Sequence, residues 1–565
     1  MSLIERFIFV KSLFYLMPAK PSEIKKATIH TYWDSKEGLI CPLCSSQLRH
    51  EFNNGGRKII TLKGSIWVVT NYYSCINPKC EMHQAFPAAY HSAMQRKRFS
   101  LEVWAKVIQH HFKHHINYST TVELMWDDWD VSISRNTVRN ICEFFEMAGK
   151  QYTDKKVLKE VESSGRIILS LDGAQPVKNE PSLWVFSDRL TGNVLLARNL
   201  ESAPAFVLCA IFREIEMLYG VPIVAIISDK QKNIVNGVKQ FKPDIPHAYC
   251  QYHFLNHVAE PIASKDSHLK KTLRKSVRQL SIVYNSKYTD SNELYKLFRP
   301  ISEELKCAIS TRGDRFDVFP GIETYANLEY VVSRLEQFEE MELPPKVSRT
   351  LDALLAALKK LLKANRHLRE EITSLIPDLQ QIRKILAKRE RKSFQIEKEA
   401  KKWVYKLQSR LKRRKLESNP QNIKWQQPSF KLSCEEIWQE WVRLINSYSE
   451  GLYPAYDVED LDFTNNAKEQ LFHRSKHHFK ALLGRENVAR AFLNHGGLHV
   501  QLLDIDFTKK NVTSVLLACE TPLIEAQRKE FNAQYATIKR TWRIREKDTG
   551  NFTQFKDNLT QLERT

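Results

Sequence analysis

Three acidic residues occupy places from which carboxylates could hold divalent metal ions. Asp172 ends the apolar run Ile167-Ile168-Leu169-Ser170-Leu171, and Asp229 ends a second run from Val221 to Ser228. Glu469 lies in Thr464-Asn465-Asn466-Ala467-Lys468-Glu469, which reads as the start of a helix because asparagine suits a helix N-terminus. A carboxylate at the mouth of a buried strand is held rigidly. Three of them from separate elements are enough for a two-Mg²⁺ site that hydrolyses or transfers a phosphodiester. Glu469 and Lys476 are seven apart and share one helix face, so the acid can reach a metal while Lys476, Arg474, His477 and Lys480 face phosphates. The plainer reading is an amphipathic surface helix and two aspartates of the kind many α/β proteins carry after a strand.

The elements that must position these residues follow from periodicity. Between residues 160 and 262 the pattern predicts strands at Arg166–Leu171, Leu183–Ser187, Val194–Ala197, Ile223–Ser228 and His247–Cys250. Thr191-Gly192-Asn193 is a turn between the second and third. A helix from Ala203 to Tyr219, with Phe206, Val207, Ala210, Ile211, Ile215 and Leu218 as its apolar face, is stopped by Gly220. Three antiparallel strands, a helix and a parallel strand is the order of an RNase H-like sheet.

Upstream, residues 36–95 contain Cys41-Pro42-Leu43-Cys44 and Cys75-Ile76-Asn77-Pro78-Lys79-Cys80, separated by the β-rich stretches Lys58–Leu62 and Ile66–Thr70. Two cysteine pairs on β-turns are the plan of a zinc ribbon, with His83 able to replace one thiolate; the alternative is four buried free thiols. Residues 96–155 read as all-helical: Leu101–His111, a segment from Ser119, and a third helix from Arg135 capped by Ser134. Val138, Ile141, Cys142 and Phe145 share one face of the third helix, while Arg135, Asn136 and Arg139 share another, as in a helix-turn-helix whose last helix enters a major groove. A helical hairpin packed on its neighbour would look similar.

The chain of 565 residues has 86 Lys and Arg against 65 Asp and Glu, a net charge of +21 and a sequence pI of about 9.4, which favours a polyanionic partner. Lys359 to Lys415 holds 20 basic and 6 acidic residues, so this stretch carries +14 of that charge. Arg410-Leu411-Lys412-Arg413-Arg414-Lys415 is its densest part. It lies within residues 263–455, which contain no convincing strand, show a leucine stripe from Leu351 to Leu368, and have a second helical region interrupted at Pro377. The N-terminal segment, 1–35, reads as helical and its start as amphipathic; Lys11 breaks the apolar core that a signal peptide needs. Residues 506–565 form a polar helical tail. No apolar run is long enough for a transmembrane helix. The ten cysteines, four clustered and six scattered, point to a reducing compartment and a metal site.

The stretch from Asp172 to His253, with Thr464 to Arg485, resembles the DDE transposases of bacterial insertion sequences. It is most similar to the group related to Mutator-like elements that carries a Cys-x-x-His motif after the second aspartate, here Cys250-Gln251-Tyr252-His253. The resemblance implies an α/β RNase H-like catalytic core (160–262 and 456–505) with a large all-α insertion (263–455), preceded by the zinc ribbon and the helix-turn-helix. It implies Asp172, Asp229 and Glu469 as catalytic residues binding Mg²⁺ or Mn²⁺, a zinc ion on Cys41, Cys44, Cys75 and Cys80, and double-stranded DNA of transposon ends and target as substrate. Arg135, Asn136, Arg139, Arg413, Arg414, Arg474 and Lys476 are then the expected DNA contacts, on a homodimer or higher oligomer in the bacterial cytoplasm, at the nucleoid. The motif of Cys250 and His253 has no assigned role, since two ligands alone make a poor zinc site. Three other readings compete: an inactive, domesticated transposase acting as a DNA-binding regulator; an RNase H-like nuclease that cuts without joining; and a structural or RNA-binding protein, which would explain the charge and not the acids.

Overall fold

The computed structural model describes residues 31–34, 40–41, 43–53, 56–87, 93–94, 97–175, 181–280, 293–337, 344–413, 428–519, 523–529, 531 and 533, with backbone only for 31–34, 70, 87, 293–297 and 466–469. It is mixed α/β and dominated by helix. The expected N-terminal amphipathic helix, the end of the C-terminal tail and Arg414 lie outside the described residues.

A five-stranded sheet forms where the apolar runs predict it: β6 (Ile167–Ala174), β7 (Ser182–Asp188), β8 (Val194–Leu200), β9 (Ile223–Ser228) and β10 (His247–Tyr249), in the spatial order β10-β9-β6-β7-β8. β6 pairs antiparallel with β7, and β7 with β8; Gly192, with φ 75°, turns the chain between those two. The chain then crosses over through α4 (Ala205–Tyr219) to lay β9 parallel to β6, and through α5 (Lys232–Phe241) to lay β10 parallel to β9. Ile167, Ile168 and Leu169 are each 0% exposed because β6 is central and covered on both faces. Leu208, Ile211, Phe212 and Ile215 of α4 pack on one face, together with Val157 and Val161. The opposite face meets Phe472, Phe479, Leu482 and Phe492.

The apolar face of α4 is rotated from the one expected. Leu208, Phe212, Ile215 and Tyr219 are buried, whereas Phe206 and Leu218 are 69% and 55% exposed. The rows spaced by three and four residues that end on Tyr219 give the larger apolar stripe, and its hydroxyl donates to the Leu195 carbonyl.

Upstream stands a second sheet built on one long strand, β4 (Gly64–Cys75), which pairs with β2 (Leu48–Asn53), β3 (Arg57–Thr61) and the short β5 (Phe86–Pro87) in antiparallel fashion. It also pairs in parallel with β1 (Thr31–Asp34). Thr31–Asp34 therefore departs from the helix expected over 1–35; its β-branched and aromatic residues favour an extended edge. Three helices follow: α1 (Leu101–Ile108), ending in a π-turn at Gln109–Lys113; α2 (Tyr118–Trp129); and α3 (Arg135–Ser164). Ser134 caps α3 by accepting from the Thr137 N–H, as its sequence predicts. The helix runs on for 30 residues to Gly165 and carries the chain into the central sheet. Its first half packs with α1, α2 and, from the far end of the chain, α14 (Lys509–Ala518).

Between β10 and residue 456 the described regular elements are helices, the longer ones being α6 (Gln251–Arg278), α7 (Glu293–Ala308), α8 (Pro320–Glu336), α9 (Pro345–Leu386), α10 (Ser393–Arg413) and α11 (Cys434–Leu452). They share one apolar core in which the indoles of Trp403 and Trp441 stack at 5.8 Å. Pro377 does not interrupt α9, which runs for 42 residues through it; the break falls after Leu386. A proline inside a helix costs about 3 kcal/mol. Burial of Leu375, Leu379 and Ile382 around it, and the bond from Trp403 Nε1 to the Asp378 carbonyl, outweigh that cost. Two further helices, α12 (Asn466–Leu483) and α13 (Ala489–Leu502), return to the central sheet. No described helix is long and apolar enough to cross a membrane.

Candidate active site and zinc module

The register of three parallel strands sets two of the acids at one end of the sheet. Ser170 pairs with Ile227, and Tyr249 with Ser228. Continued past those pairs, the ladders set Asp172, Asp229 and Cys250 level at one sheet edge, where neighbouring strands are about 4.8 Å apart. Asp172 sits within β6, opposite Val185, and its Oδ1 accepts the Gly173 N–H at 2.7 Å. Asp229 follows β9; its side chain is 16% exposed, and Oδ1 lies 2.7 Å from Nδ1 of His253. The Asp229 carboxylate, with the Cys250 sulfur, pushes the His253 pKa up to about 11.

Glu469 lies near the start of α12, which the chain ties to the same edge, although its side chain is outside the described residues. The tie is Asn465, 2% exposed. Its side-chain amide donates to the Leu171 carbonyl at 2.9 Å, its side-chain oxygen accepts from the Ser170 hydroxyl at 2.6 Å, and its main-chain N–H donates to Cys250 Sγ at 3.2 Å. Gln251 extends the tie by donating its main-chain N–H to the Phe463 carbonyl. The asparagine is legible as a helix start, but its grip on β6 is not, because nothing local distinguishes a capping asparagine from one that bonds across 294 residues.

Farther along α12, Arg474 and His477 are exposed, Arg474 donating to the Leu503 carbonyl at 3.0 Å, while Lys476 lies over the Phe492 ring at 5.5 Å. Lys480 pairs with Glu486. On α3, Arg135, Asn136 and Arg139 are exposed opposite the buried Val138, Ile141, Cys142 and Phe145, with Arg139 3.5 Å from Glu143. Arg413 is exposed at the end of α10.

The four N-terminal cysteines converge. Cys41 and Cys44 sit on the turn before β2, Cys75 ends β4 and Cys80 follows a second turn. Their sulfurs all lie within 4.8 Å of one another, Cys41 to Cys80 at 3.7 Å and Cys44 to Cys75 at 3.4 Å. A tetrahedral zinc with bonds of about 2.3 Å needs sulfur–sulfur edges of about 3.8 Å, so the cluster could hold the ion with small adjustment. Bonds from Ser46 bring the Cys44 thiol down to about 6, ready to ligate, while burial pushes Cys75 up to about 12 in the absence of a cation. His83 is not a fifth member: its Nδ1 donates to the Cys75 carbonyl at 2.9 Å.

A cluster that no sequence spacing announces lies where α12 and α13 meet the N-terminal helices. His478 and His499 stack at 4.1 Å, His478 Nδ1 is 2.8 Å from His115 Nδ1, and His111 packs edge-on against His478. No family model matches the chain, and a comparison with curated proteins finds no match.

Proposed function

We propose that the chain is a DNA transposase of the DDE kind, which binds the ends of a mobile element, nicks them, and joins the freed 3′-hydroxyls to target DNA. The observation that carries this reading is the level alignment of Asp172 and Asp229 on neighbouring parallel strands, with the start of the Glu469 helix bonded to the same edge through Asn465. The strand order β10-β9-β6-β7-β8, with only the crossover pairs parallel, supports an RNase H-like core.

Asp172, Asp229 and Glu469 would hold divalent ions, Mg²⁺ or Mn²⁺; the second oxygen of Asp229 is the one left for this by His253. Such ions, when bound, make a water or a 3′-hydroxyl nucleophilic and stabilise the leaving oxygen. The rest falls to the chain. β6 and β9 fix the two carboxylates before substrate arrives, so no reorganisation accompanies the reaction. The start of α12 is bonded to the same edge through Asn465, and a helix N-terminus there would favour the negative charge of a phosphodiester. Arg135, Asn136 and Arg139 on α3 would read or grip element ends, the zinc module would brace them, and the basic helices of the insertion would hold flanking DNA. Pairing two ends requires a dimer or larger assembly, acting at the nucleoid.

The test is strand transfer of labelled, precut ends by Asp172→Asn, Asp229→Asn and Glu469→Gln. Each should bind DNA like the parent and lose joining by at least a hundredfold. Joining retained in all three would remove the proposal. Metal-dependent nicking by the parent without joining would assign it to nucleases that only cut, and binding without nicking to a DNA-binding regulator.

A further inference from the structure

The motif Cys250-x-x-His253 supplies two metal ligands, too few for a site. The fold adds a third. β9 and β10 are paired in parallel up to Ser228 and Tyr249, so the next residues, Asp229 and Cys250, emerge side by side. The chain turns at once from β10 into α6, and His253, in the first turn of that helix, swings back over the strand ends. A carboxylate oxygen, a thiol sulfur and an imidazole nitrogen end within 4.8 Å of one another.

We infer that Asp229, Cys250 and His253 form a second transition-metal site, for zinc by preference, distinct from the four-cysteine module. The donors decide the class of ion. Sulfur and imidazole select zinc and its soft neighbours, whereas Mg²⁺ and Ca²⁺ require oxygen. The surroundings fit. Cys250 is 0% exposed, Oδ1 of Asp229 and Nδ1 of His253 are sealed from solvent, and the Asn465 N–H points at the sulfur, the kind of outer bond that orients a thiolate ligand. Three protein ligands leave the fourth position of a tetrahedral ion to a water or a further donor.

Two other arrangements compete. A cysteine nucleophile activated by His253 and Asp229 would need access to substrate, and Cys250 has none. An imidazolium held between Asp229 and Cys250 uses the same three groups, and the metal content of the protein separates it from a bound ion. The inference stands whether or not the chain joins DNA.

Zinc content of the purified full-length protein, measured by elemental mass spectrometry against protein concentration, tests it. Two equivalents per chain are expected. Cys250→Ser combined with His253→Ala should fall to one, and Cys41→Ser combined with Cys44→Ser should also fall to one. In the latter protein loaded with cobalt, the remaining ion should show a thiolate charge-transfer band that is lost on further substitution of Cys250→Ser. One equivalent in the parent protein, or two that persist in Cys250→Ser/His253→Ala, overturns the proposal, and the count in the parent decides even if the variants fail to fold. Neither result bears on joining by Asp172, so the two proposals fail separately.

Discussion

Asn465 donates its side-chain amide to the carbonyl of Leu171, the residue before Asp172, across 294 positions of sequence. With the Ser170 hydroxyl bonded to the same side chain, one buried asparagine couples the strand of the first acid to the helix of the third. Asn465→Ala leaves the Ser170 hydroxyl and the Leu171 carbonyl buried without their partner. That should cost about 1–3 kcal/mol of stability. Strand transfer should fall further than unfolding explains, because the start of α12 loses its anchor. Denaturant titration and transfer rates, compared well below the melting temperature, separate the two effects. Parental stability together with parental activity would mean that Asn465 anchors nothing.

The four-cysteine cluster makes a sharper distinction than its sequence allows. His83 could stand in for a thiolate by position, yet it donates to the Cys75 carbonyl and lies outside the converging sulfurs. His83→Ala should therefore leave zinc content unchanged, whereas Cys80→Ala should abolish binding at that module and unfold the strands around it. Metal analysis with circular dichroism of the two variants checks this; zinc lost from His83→Ala would place the histidine among the ligands.

The sequence is legible wherever burial is continuous. Ile223–Ser228 matches its strand end for end, and the boundaries of β6, β7 and β10 shift by no more than three residues. The cysteine spacing likewise announces the convergence of four sulfurs that could hold an ion. Closure between distant segments is what it hides: the Asp229–His253 approach, the Asn465 anchor and the histidine cluster each depend on packing that no local pattern encodes. Pro377 misleads for a related reason. Its local cost is real, but the apolar residues on either side of it pack into a core assembled from six helices. The face of α4 is misjudged because both of its sides carry apolar residues, and only the sheet chooses between them.

The histidine cluster gives a pH dependence with a definite sign. Burial holds His111 down to about 4 and His499 to about 3, and pushes His478 lower still, with His115, His477 and His495 adding positive charge nearby. An unfolded histidine titrates at about 6.5, so below that pH the unfolded chain binds protons that the folded cluster refuses. This part of the stability is fully present above about pH 6.5 and is lost as pH falls towards 4. The ceiling is roughly 1.4 kcal/mol per pH unit for each fully buried ring. Denaturant midpoints at a series of pH values between 5 and 7 should slope upward with pH, and His499→Gln should flatten that slope. An unchanged slope in that variant would show that the cluster does not titrate with folding.

The net charge of the insertion overstates the charge it can offer to DNA. Lys359 pairs with Glu336, Arg383 with Asp317, Lys388 and Arg391 with Glu399, and Lys406 and Arg410 with Asp378, which is 1% exposed. One face of α10 differs. Phe394 and Tyr405, 64% and 71% exposed, bracket Lys398 and Lys402 along a shallow groove that the ion pair of Glu397 and Lys401 also lines, while Ile396, Ala400, Trp403 and Leu407 bury the opposite face. Exposed aromatic rings between lysines can stack on bases while the ammonium groups meet phosphates. Lys398→Ala with Lys402→Ala should weaken DNA binding about equally for all sequences. The salt dependence of log affinity should also become shallower, by about one unit for each phosphate that is no longer neutralised. Lys406→Ala should instead lower stability, by removing a partner of the buried Asp378, and leave the salt slope as it was. Equilibrium binding across a range of salt concentrations measures both, and a slope unmoved by the Lys398/Lys402 pair would assign DNA binding by the insertion to another face.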